Sequence, residues 1–117
     1  MKQDLRVKRV RFATEGLFAT YQKLKTGTFE EKKIAESLDN LIAELKQNPL
    51  CGTKIPRRLW PKEYLWKYCI NNLFKYDLPD GWRVMYTLVG NETEVSSVLL
   101  EWFTHKDYEK RFGYKTN

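Results

Sequence analysis

Residues 71–87, NNLFKYDLPDGWRVMYT, decide the fold because they have the pattern of a β-hairpin. Pro79 has the fixed φ that suits the second position of a type I turn, Asp80 suits the third, and Gly81 can take the left-handed conformation that follows. A three-residue loop then sets the register of the two strands. The predicted pairs are Leu78 with Trp82, Asp77 with Arg83, Tyr76 with Val84, Lys75 with Met85 and Phe74 with Tyr86.

The two strands have faces of different character, because side chains alternate along a strand. One face is aromatic and aliphatic, and it consists of Phe74, Tyr76, Leu78, Trp82, Val84, Tyr86 and Leu88. The other face is more polar, and it consists of Lys75, Asp77, Arg83, Met85 and Thr87. We expect the first face to pack in the core and the second to be available for a ligand.

The composition indicates one folded domain over residues 1–117 and a polyanionic partner. Hydrophobic residues make up 42% of the chain, which argues against disorder. The formal net charge is +6, and residues 54–83 contain seven basic side chains against three acidic ones. No strongly amphipathic basic helix accompanies this charge, so nucleic acid is favoured over an anionic membrane.

The sequence shows neither a targeting segment nor the ligands of a structural metal site. It has no apolar h-region and no run of 18 apolar residues, which predicts a cytoplasmic protein without a membrane partner. Cys51 and Cys69 lack CxxC spacing, and with a single histidine they cannot supply four zinc ligands. We therefore expect no metal or other cofactor and reduced thiols, with a 51–69 disulfide as the alternative.

The rest of the chain has helix and strand patterns on either side of the hairpin. The earlier elements are expected to be a strand over residues 5–12, a helix from the Thr14 N-cap to about Lys25, and a longer helix that begins with the capping box of Thr28 and Glu31. The later ones are a loop over residues 50–55, a helix or else a strand within residues 60–70, a strand over residues 95–103 and a short helix from Thr104 to about Phe112. This order predicts an α+β fold, in which two N-terminal helices pack on an antiparallel sheet of about four strands and a short helix follows.

Four side chains that suit phosphate chemistry lie in the hairpin or just after the last strand. Lys75 and Arg83 are on the polar hairpin face, and His105 and Tyr108 follow the strand that is expected to neighbour it. Metal-free RNA cleavage needs a base for the 2′-OH proton, cations that stabilise the phosphorane, and an acid for the leaving 5′ oxygen. Arginine binds two phosphate oxygens at once and an imidazole exchanges protons near neutral pH, so these four residues are the candidate catalytic set.

The order of these motifs resembles the RelE/ParE superfamily of toxins from type II toxin–antitoxin modules. The shared features are a first strand, two helices, an Asn-Pro-x-x-Gly loop at residues 48–52, NLFK at residues 72–75, WRVMY at residues 82–86 and a final strand that ends in HKDY at residues 105–108. The similarity spans nearly the whole chain, and the hairpin is its most specific part. For RelE-like members it implies a cytoplasmic ribonuclease that enters the ribosomal A site and cuts mRNA without a metal, leaving a 2′,3′-cyclic phosphate.

The resemblance also implies roles for individual residues. Arg83 matches an arginine that stabilises the transition state, and Lys75 matches a basic residue of the preceding strand. His105 lies where relatives have an arginine or histidine general acid, and Tyr108 matches a tyrosine that orients the substrate or stacks on it. No residue matches the carboxylate that some relatives use as the general base, and Asp77 is placed to pair with Arg83.

Partners and alternatives follow from the charge and from the same resemblance. A cognate antitoxin protein and mRNA in the ribosomal A site are the implied partners. The basic residues expected to bind nucleic acid are Lys54, Arg57, Arg58, Lys62, Lys67, Lys110 and Arg111. Trp60, Tyr64 and Trp66 are able to stack on bases, although core packing or antitoxin docking is the expected role. The alternative functions are a ParE-like gyrase inhibitor and a non-catalytic RNA- or protein-binding module of the same fold.

Overall fold

A computed structural model of the protein describes residues 4–113 and has an α+β fold, as the sequence predicts. Five strands and four helices are present in this part of the chain. The strands are β1 (Val7–Phe12), β2 (Thr53–Lys54), β3 (Phe74–Asp77), β4 (Trp82–Gly90) and β5 (Glu94–Thr104). The helices are α1 (Glu15–Leu24), α2 (Phe29–Leu45), α3 (Lys62–Tyr68) and α4 (His105–Phe112). None of these described helices is long and apolar enough to span a bilayer.

The strands form one mixed sheet in the order β1-β5-β4-β3-β2, which corrects the expected antiparallel sheet of about four strands. β1 runs parallel to β5, and the other neighbouring strands are antiparallel. The pattern of side chains in β1 indicates a strand but does not say which strand it pairs with or in which direction. β2 lies within residues 50–55, which the sequence predicts as a loop. The sequence does not reveal this strand, because two residues are too few to show alternation.

β3 and β4 form the predicted hairpin in the predicted register. Phe74 is opposite Tyr86, and Asp77 is opposite Arg83. The loop is not the predicted type I turn, because Asp80 has φ 63° and ψ 28°, whereas the third residue of a type I turn has φ near about −90°. Aspartate is one of the few residues that tolerate the left-handed conformation, so the loop keeps its length and the strands keep their register.

Helices α1 and α2 cover the aromatic face of the hairpin, as expected. Thr14 caps α1, and Thr28 with Glu31 forms the predicted capping box at the start of α2. The buried residues of this first core are Tyr21, Leu24, Ala35, Leu38, Leu41, Leu45, Phe74, Leu78, Val84, Tyr86 and Leu99. Burial of each large apolar side chain contributes about 1.5–3 kcal/mol, so this cluster is the main force that holds the two helices on the sheet.

The opposite face of the hairpin is covered along most of its length, which corrects the expectation that it is available for a ligand. α3 and α4 pack there in a second core that consists of Ile55, Tyr64, Ile70, Leu73, Met85, Leu100, Phe103 and Tyr108. α3 is a helix rather than the alternative strand, and it ends at Cys69, which has a left-handed φ of 52°. The end of this face that contains Lys75 and Arg83 remains partly exposed.

β5 contributes residues to both cores, because neighbouring side chains of a strand point to opposite faces, and its pairing with β4 has one irregularity. Met85 is opposite Glu101, whereas Tyr86 is opposite Leu99. Leu100 is therefore the extra residue of a β-bulge. Leu99 packs in the first core and Leu100 in the second, which explains the nearly continuous apolar run of this strand.

The buried Tyr86 hydroxyl fixes the loop that leads into β2. It donates to the Pro49 carbonyl at 2.8 Å and accepts from the Gly52 N–H at 2.9 Å. Burial raises the pKa of Tyr86, so the hydroxyl keeps the proton that it donates. Gly52 has no room for a side chain, because a Cβ there would lie 2.6 Å from the Lys75 carbonyl oxygen. The fixed loop places β2 beside β3.

Tyr86→Phe is expected to lower the free energy of unfolding by about 1–3 kcal/mol, because it leaves the Pro49 carbonyl and the Gly52 N–H without their partner. Equilibrium denaturation in urea measures the change. Tyr76→Phe is the matched control, since the Tyr76 hydroxyl donates to the exposed Glu44 carboxylate, where water can replace it. An equal loss in both variants would contradict the proposed role of the buried hydroxyl.

Candidate active site

A pocket of about 460 Å³ lies where β2, β3 and β4 meet the start of α4. Its polar lining consists of Thr53, Lys54, Lys75, Arg83, His105, Tyr108 and Glu109. All four residues that the sequence predicts as catalytic are in this set. Three cations, an imidazole, a phenol and a carboxylate therefore converge on one concave surface.

A second cavity, of about 480 Å³, lies between α2 and the hairpin loop. Lys33, Leu78 and Trp82 are among its lining residues. It contains none of the predicted catalytic residues, and it has no imidazole. The chemistry therefore favours the slightly smaller pocket at the start of α4.

The register of the sheet brings the four predicted residues together. Trp82, the first residue of β4, is opposite Thr104, the last residue of β5. The Thr104 side chain also caps α4, so His105 begins this helix beside the start of β4. Tyr108 follows one turn later and places its ring against the Arg83 side chain.

Arg83 lies between a carboxylate and an aromatic ring. Its Nε is 3.1 Å from the Asp77 carboxylate on the paired strand, and its guanidinium carbon is 4.4 Å from the centre of the Tyr108 ring. The Arg83 side chain is 21% exposed and that of Asp77 is 63% exposed, so water reaches the carboxylate side of the pair. Within residues 4–113 the two terminal nitrogens of Arg83 have no hydrogen bond. An anion in the pocket can therefore compete for the guanidinium.

Tyr108 supports the two cations and is not an exposed platform for a base. The residue is 4% exposed, and its ring stacks on Phe112 with the centroids 4.5 Å apart. Phe103 meets it nearly edge-on at 5.9 Å. Lys75 Nζ is 5.8 Å from the ring centre, in addition to the contact with Arg83. The geometry supports a role in holding Lys75 and Arg83, and it leaves little ring surface for the predicted stacking on substrate.

Glu109 is a residue of the pocket that the sequence patterns did not identify. His105 Nε2 lies 2.6 Å from Glu109 Oε1, and the two side chains are 56% and 16% exposed. Their separation of four residues places both on one face of α4. This spacing within the predicted helix is the signal in the sequence, and the fold adds that both side chains line the pocket. A carboxylate at this distance from an imidazole nitrogen orients the ring.

Three of the residues predicted to bind nucleic acid lie at the pocket or its rim. Lys54 is part of the lining. Arg57 and Arg58 are exposed on a single turn of 3-10 helix. Pro56 and Leu59, on either side of these arginines, line the pocket, so the two guanidinium groups belong to its rim.

The other four predicted residues lie on α3 and α4, and one of them has a structural role. Lys62, Lys67 and Lys110 are exposed. Arg111 forms ion pairs with Glu63 at 2.6 Å and with Glu101 at 3.2 Å, and it thereby joins α4 to α3 and β5. Burial lowers the pKa of Arg111, but the charges and hydrogen bonds of the two carboxylates outweigh this effect and raise it. Arg111 is thus occupied by protein carboxylates.

The cysteines do not form the alternative disulfide, since Cys51 and Cys69 are both free thiols. Burial raises the pKa of Cys51. Among residues 4–113, no three His, Cys, Asp or Glu side chains are grouped so that they could hold a metal ion.

No protein-family model, curated protein or solved structure matches this chain. The resemblance to the RelE/ParE superfamily therefore rests on the motifs at residues 48–52, 72–75, 82–86 and 105–108. The chemistry of the pocket can be judged from its lining residues without a relative.

Asp77→Asn is expected to strengthen anion binding in the pocket, because it removes the carboxylate that pairs with Arg83. The affinity for a single-stranded RNA that is 2′-O-methylated at every sugar should rise about 1.5- to fivefold, the equivalent of roughly 0.2–1 kcal/mol for an exposed ion pair. Fluorescence anisotropy measures the affinity. Asp80→Asn is the matched control, since Asp80 pairs with Lys33 at 3.6 Å in the hairpin loop. Equal gains in both variants would show that net charge alone sets the affinity.

Proposed function

We propose that this protein is a RelE-like toxin, a metal-independent endoribonuclease that cuts mRNA in the ribosomal A site and so inhibits translation. The observation that supports this most directly is the pocket in which Lys75 and Arg83 lie beside the His105–Glu109 pair. The motifs that resemble the superfamily include three of these four residues. Geometry and sequence therefore favour the same chemistry.

In this proposal Arg83 and Lys75 bind the scissile phosphate. Negative charge builds up on the phosphate oxygens as the 2′ oxygen attacks, and preorganised cations stabilise that charge. A guanidinium has planar donors that match two oxygens, and an ammonium adds a compact charge. The Tyr108 ring lies 4.4 Å from the Arg83 guanidinium carbon and 5.8 Å from Lys75 Nζ, so both cations are held before the substrate arrives.

The His105–Glu109 pair then moves the protons. The 2′-OH attacks phosphorus and the 5′ oxygen leaves, which gives a 2′,3′-cyclic phosphate and a 5′-OH and requires that one proton is removed and another donated. Glu109, the carboxylate of the pocket lining, accepts the 2′-OH proton, and His105 donates to the 5′ oxygen. The proton returns from Glu109 to His105 across their 2.6 Å contact, which restores the starting state.

The partners in this proposal are mRNA on the ribosome and a cognate antitoxin. The exposed Arg57 and Arg58 at the pocket rim and the net charge of +6 suit a polyanion such as ribosome-bound RNA. An antitoxin is proposed from the resemblance, and the ribosome places the activity in the cytoplasm.

A non-catalytic RNA-binding module of the same fold is the second candidate function. The ion pair between Arg83 and Asp77 favours it, because an arginine that is balanced by a carboxylate stabilises a transition state less than a free one does. Under this alternative the pocket binds RNA but no strand is cut.

Arg83→Ala and His105→Ala are each expected to reduce mRNA cleavage about 10²- to 10³-fold, because they remove transition-state stabilisation and the general acid. The measurement maps new 5′ ends on a defined message in a translation extract and tests the fragments for a 2′,3′-cyclic phosphate. Arg9→Ala is the matched control, since Arg9 Nε makes an equivalent 3.1 Å ion pair with Glu94 at the other end of the sheet. This variant should cleave like the wild type.

Uncut message in the presence of folded wild-type protein at ribosome-saturating concentration would contradict the nuclease. Growth inhibition that persists when Lys75, Arg83 and His105 are all replaced by alanine would favour the non-catalytic module. Inhibition of gyrase supercoiling without RNA cleavage would instead support the ParE-like alternative.

Glu109→Gln is expected to reduce cleavage about 10²-fold while RNA binding stays within about twofold of the wild type, because the amide keeps the size of the side chain but cannot accept a proton. Initial rates of cleavage and anisotropy with 2′-O-methylated RNA separate the two effects. Asp107→Asn makes the same chemical change on α4 at a residue that lines a different cavity. Equal activity in the wild type and Glu109→Gln would rule out Glu109 as the base.

A further inference from the structure

An exposed indole on α3 lies outside the pocket described above. Trp66 is 72% exposed and belongs to neither core. Within the described residues it has no ring contact, cation–π contact or hydrogen bond. Trp60 differs, because its indole N–H donates to the Ile55 carbonyl at 2.8 Å and the Arg57 guanidinium lies 5.4 Å from its ring centre. Trp66 therefore has a large apolar surface that the fold itself does not use.

Helix geometry explains why this indole faces solvent. Tyr64 packs in the second core and is 1% exposed, and Tyr68 lies one turn later on the same side of α3. A residue two positions after Tyr64 is rotated by about 200°, which directs Trp66 away from the core. Lys62 precedes Trp66 by one turn, so the exposed lysine and the indole share the outer face of α3.

The chain around Trp66 is rich in basic residues. Residues 57–67 contain four basic side chains, Arg57, Arg58, Lys62 and Lys67, and one carboxylate, Glu63. Glu63 is paired with Arg111 at 2.6 Å, so its charge is compensated. An exposed aromatic ring beside cations is the combination that binds single-stranded nucleic acid, since bases stack on the ring while phosphates contact the cations.

Along the chain, these basic residues lie directly after the wall of the candidate active site. Leu59 lines the pocket, and Arg57 and Arg58 precede it in the same turn of 3-10 helix. α3 begins three residues after Leu59, at Lys62. The rim arginines and the outer face of α3 thus follow the pocket wall directly along the chain.

We propose that Trp66, together with Arg57, Arg58 and Lys62, forms a second RNA-binding site, at which a nucleotide that flanks the cleaved bond stacks on the indole. The inference rests on the proposed function, because the pocket is what determines where the RNA strand is cut. It assigns a specific task to α3, which is to bind the single-stranded RNA outside the pocket. The occupant is RNA rather than protein because the cations match phosphates, and because Leu65, at 37% exposed, is the only other exposed large apolar side chain of α3.

Trp66→Ala is expected to weaken binding of a 2′-O-methylated oligouridine that extends beyond the pocket about 5- to 150-fold, the typical effect of losing one stacked base. Trp66→Phe should retain most of the affinity, because phenylalanine still stacks. Phe29→Ala is the matched control, since Phe29 is 74% exposed on α2 and its replacement should leave binding unchanged. Anisotropy measures the affinity, and circular dichroism verifies that each variant is folded.

An abasic oligonucleotide of the same length separates stacking from charge. Wild-type protein and Trp66→Ala should bind it equally, because it has phosphates but no bases, and Lys62→Ala should bind it more weakly. Binding of oligouridine should quench the indole fluorescence of the wild type, and Trp66→Phe should lose that part of the quenching.

Equal affinity of the wild type and Trp66→Ala for oligouridine would overturn the second site. A wild type that binds no oligouridine would overturn it as well. A wild type that binds through Trp66 but leaves the message uncut would contradict the nuclease and leave the second site intact. Binding and cleavage are read separately, so the two failures are distinguishable.

Discussion

Burial of strand β4 on both faces is the constraint on which the architecture depends. Val84 and Tyr86 lie in the first core and Met85 lies in the second, so helices must cover the sheet from both sides. Burial of such side chains contributes about 1.5–3 kcal/mol each, and neither layer of helices could be lost without exposing them. The second layer ends at the start of β4. Arg83 lies at that boundary, partly buried and still within reach of a ligand.

The position of the pocket at this boundary determines its chemistry. Two charges interact more strongly in a partly buried site than in open water. The Arg83 guanidinium therefore attracts a bound phosphate more strongly than the exposed cations of α3 do. Tyr108 belongs to the second core and also lies against Arg83 and Lys75, and it therefore couples the packing of α4 to the placement of both cations. The pocket and the second core are thus parts of one arrangement.

Arginines that contribute equally to the net charge have different environments in the fold. Arg111 is bound by two carboxylates that hold α4 in place, whereas Arg57 and Arg58 are exposed at the pocket rim. Arg83 is intermediate, since it has one carboxylate partner and lines the pocket. The excess of basic residues indicates a polyanionic partner, but the geometry alone distinguishes the arginines that are available to it from the one that is structural.

Local rules of the chain determined the hairpin register, the helix caps and the face of each hairpin residue, because turn length and side-chain alternation act between residues close in sequence. They also selected Lys75, Arg83, His105 and Tyr108, all of which line one pocket. Only the tertiary structure decided that β1 is parallel to β5, that a second core covers the polar face, and that Glu109 lines the same pocket as Lys75 and Arg83. Those features depend on contacts between segments distant in the chain, or on where a helix starts against the sheet, and no local pattern encodes them.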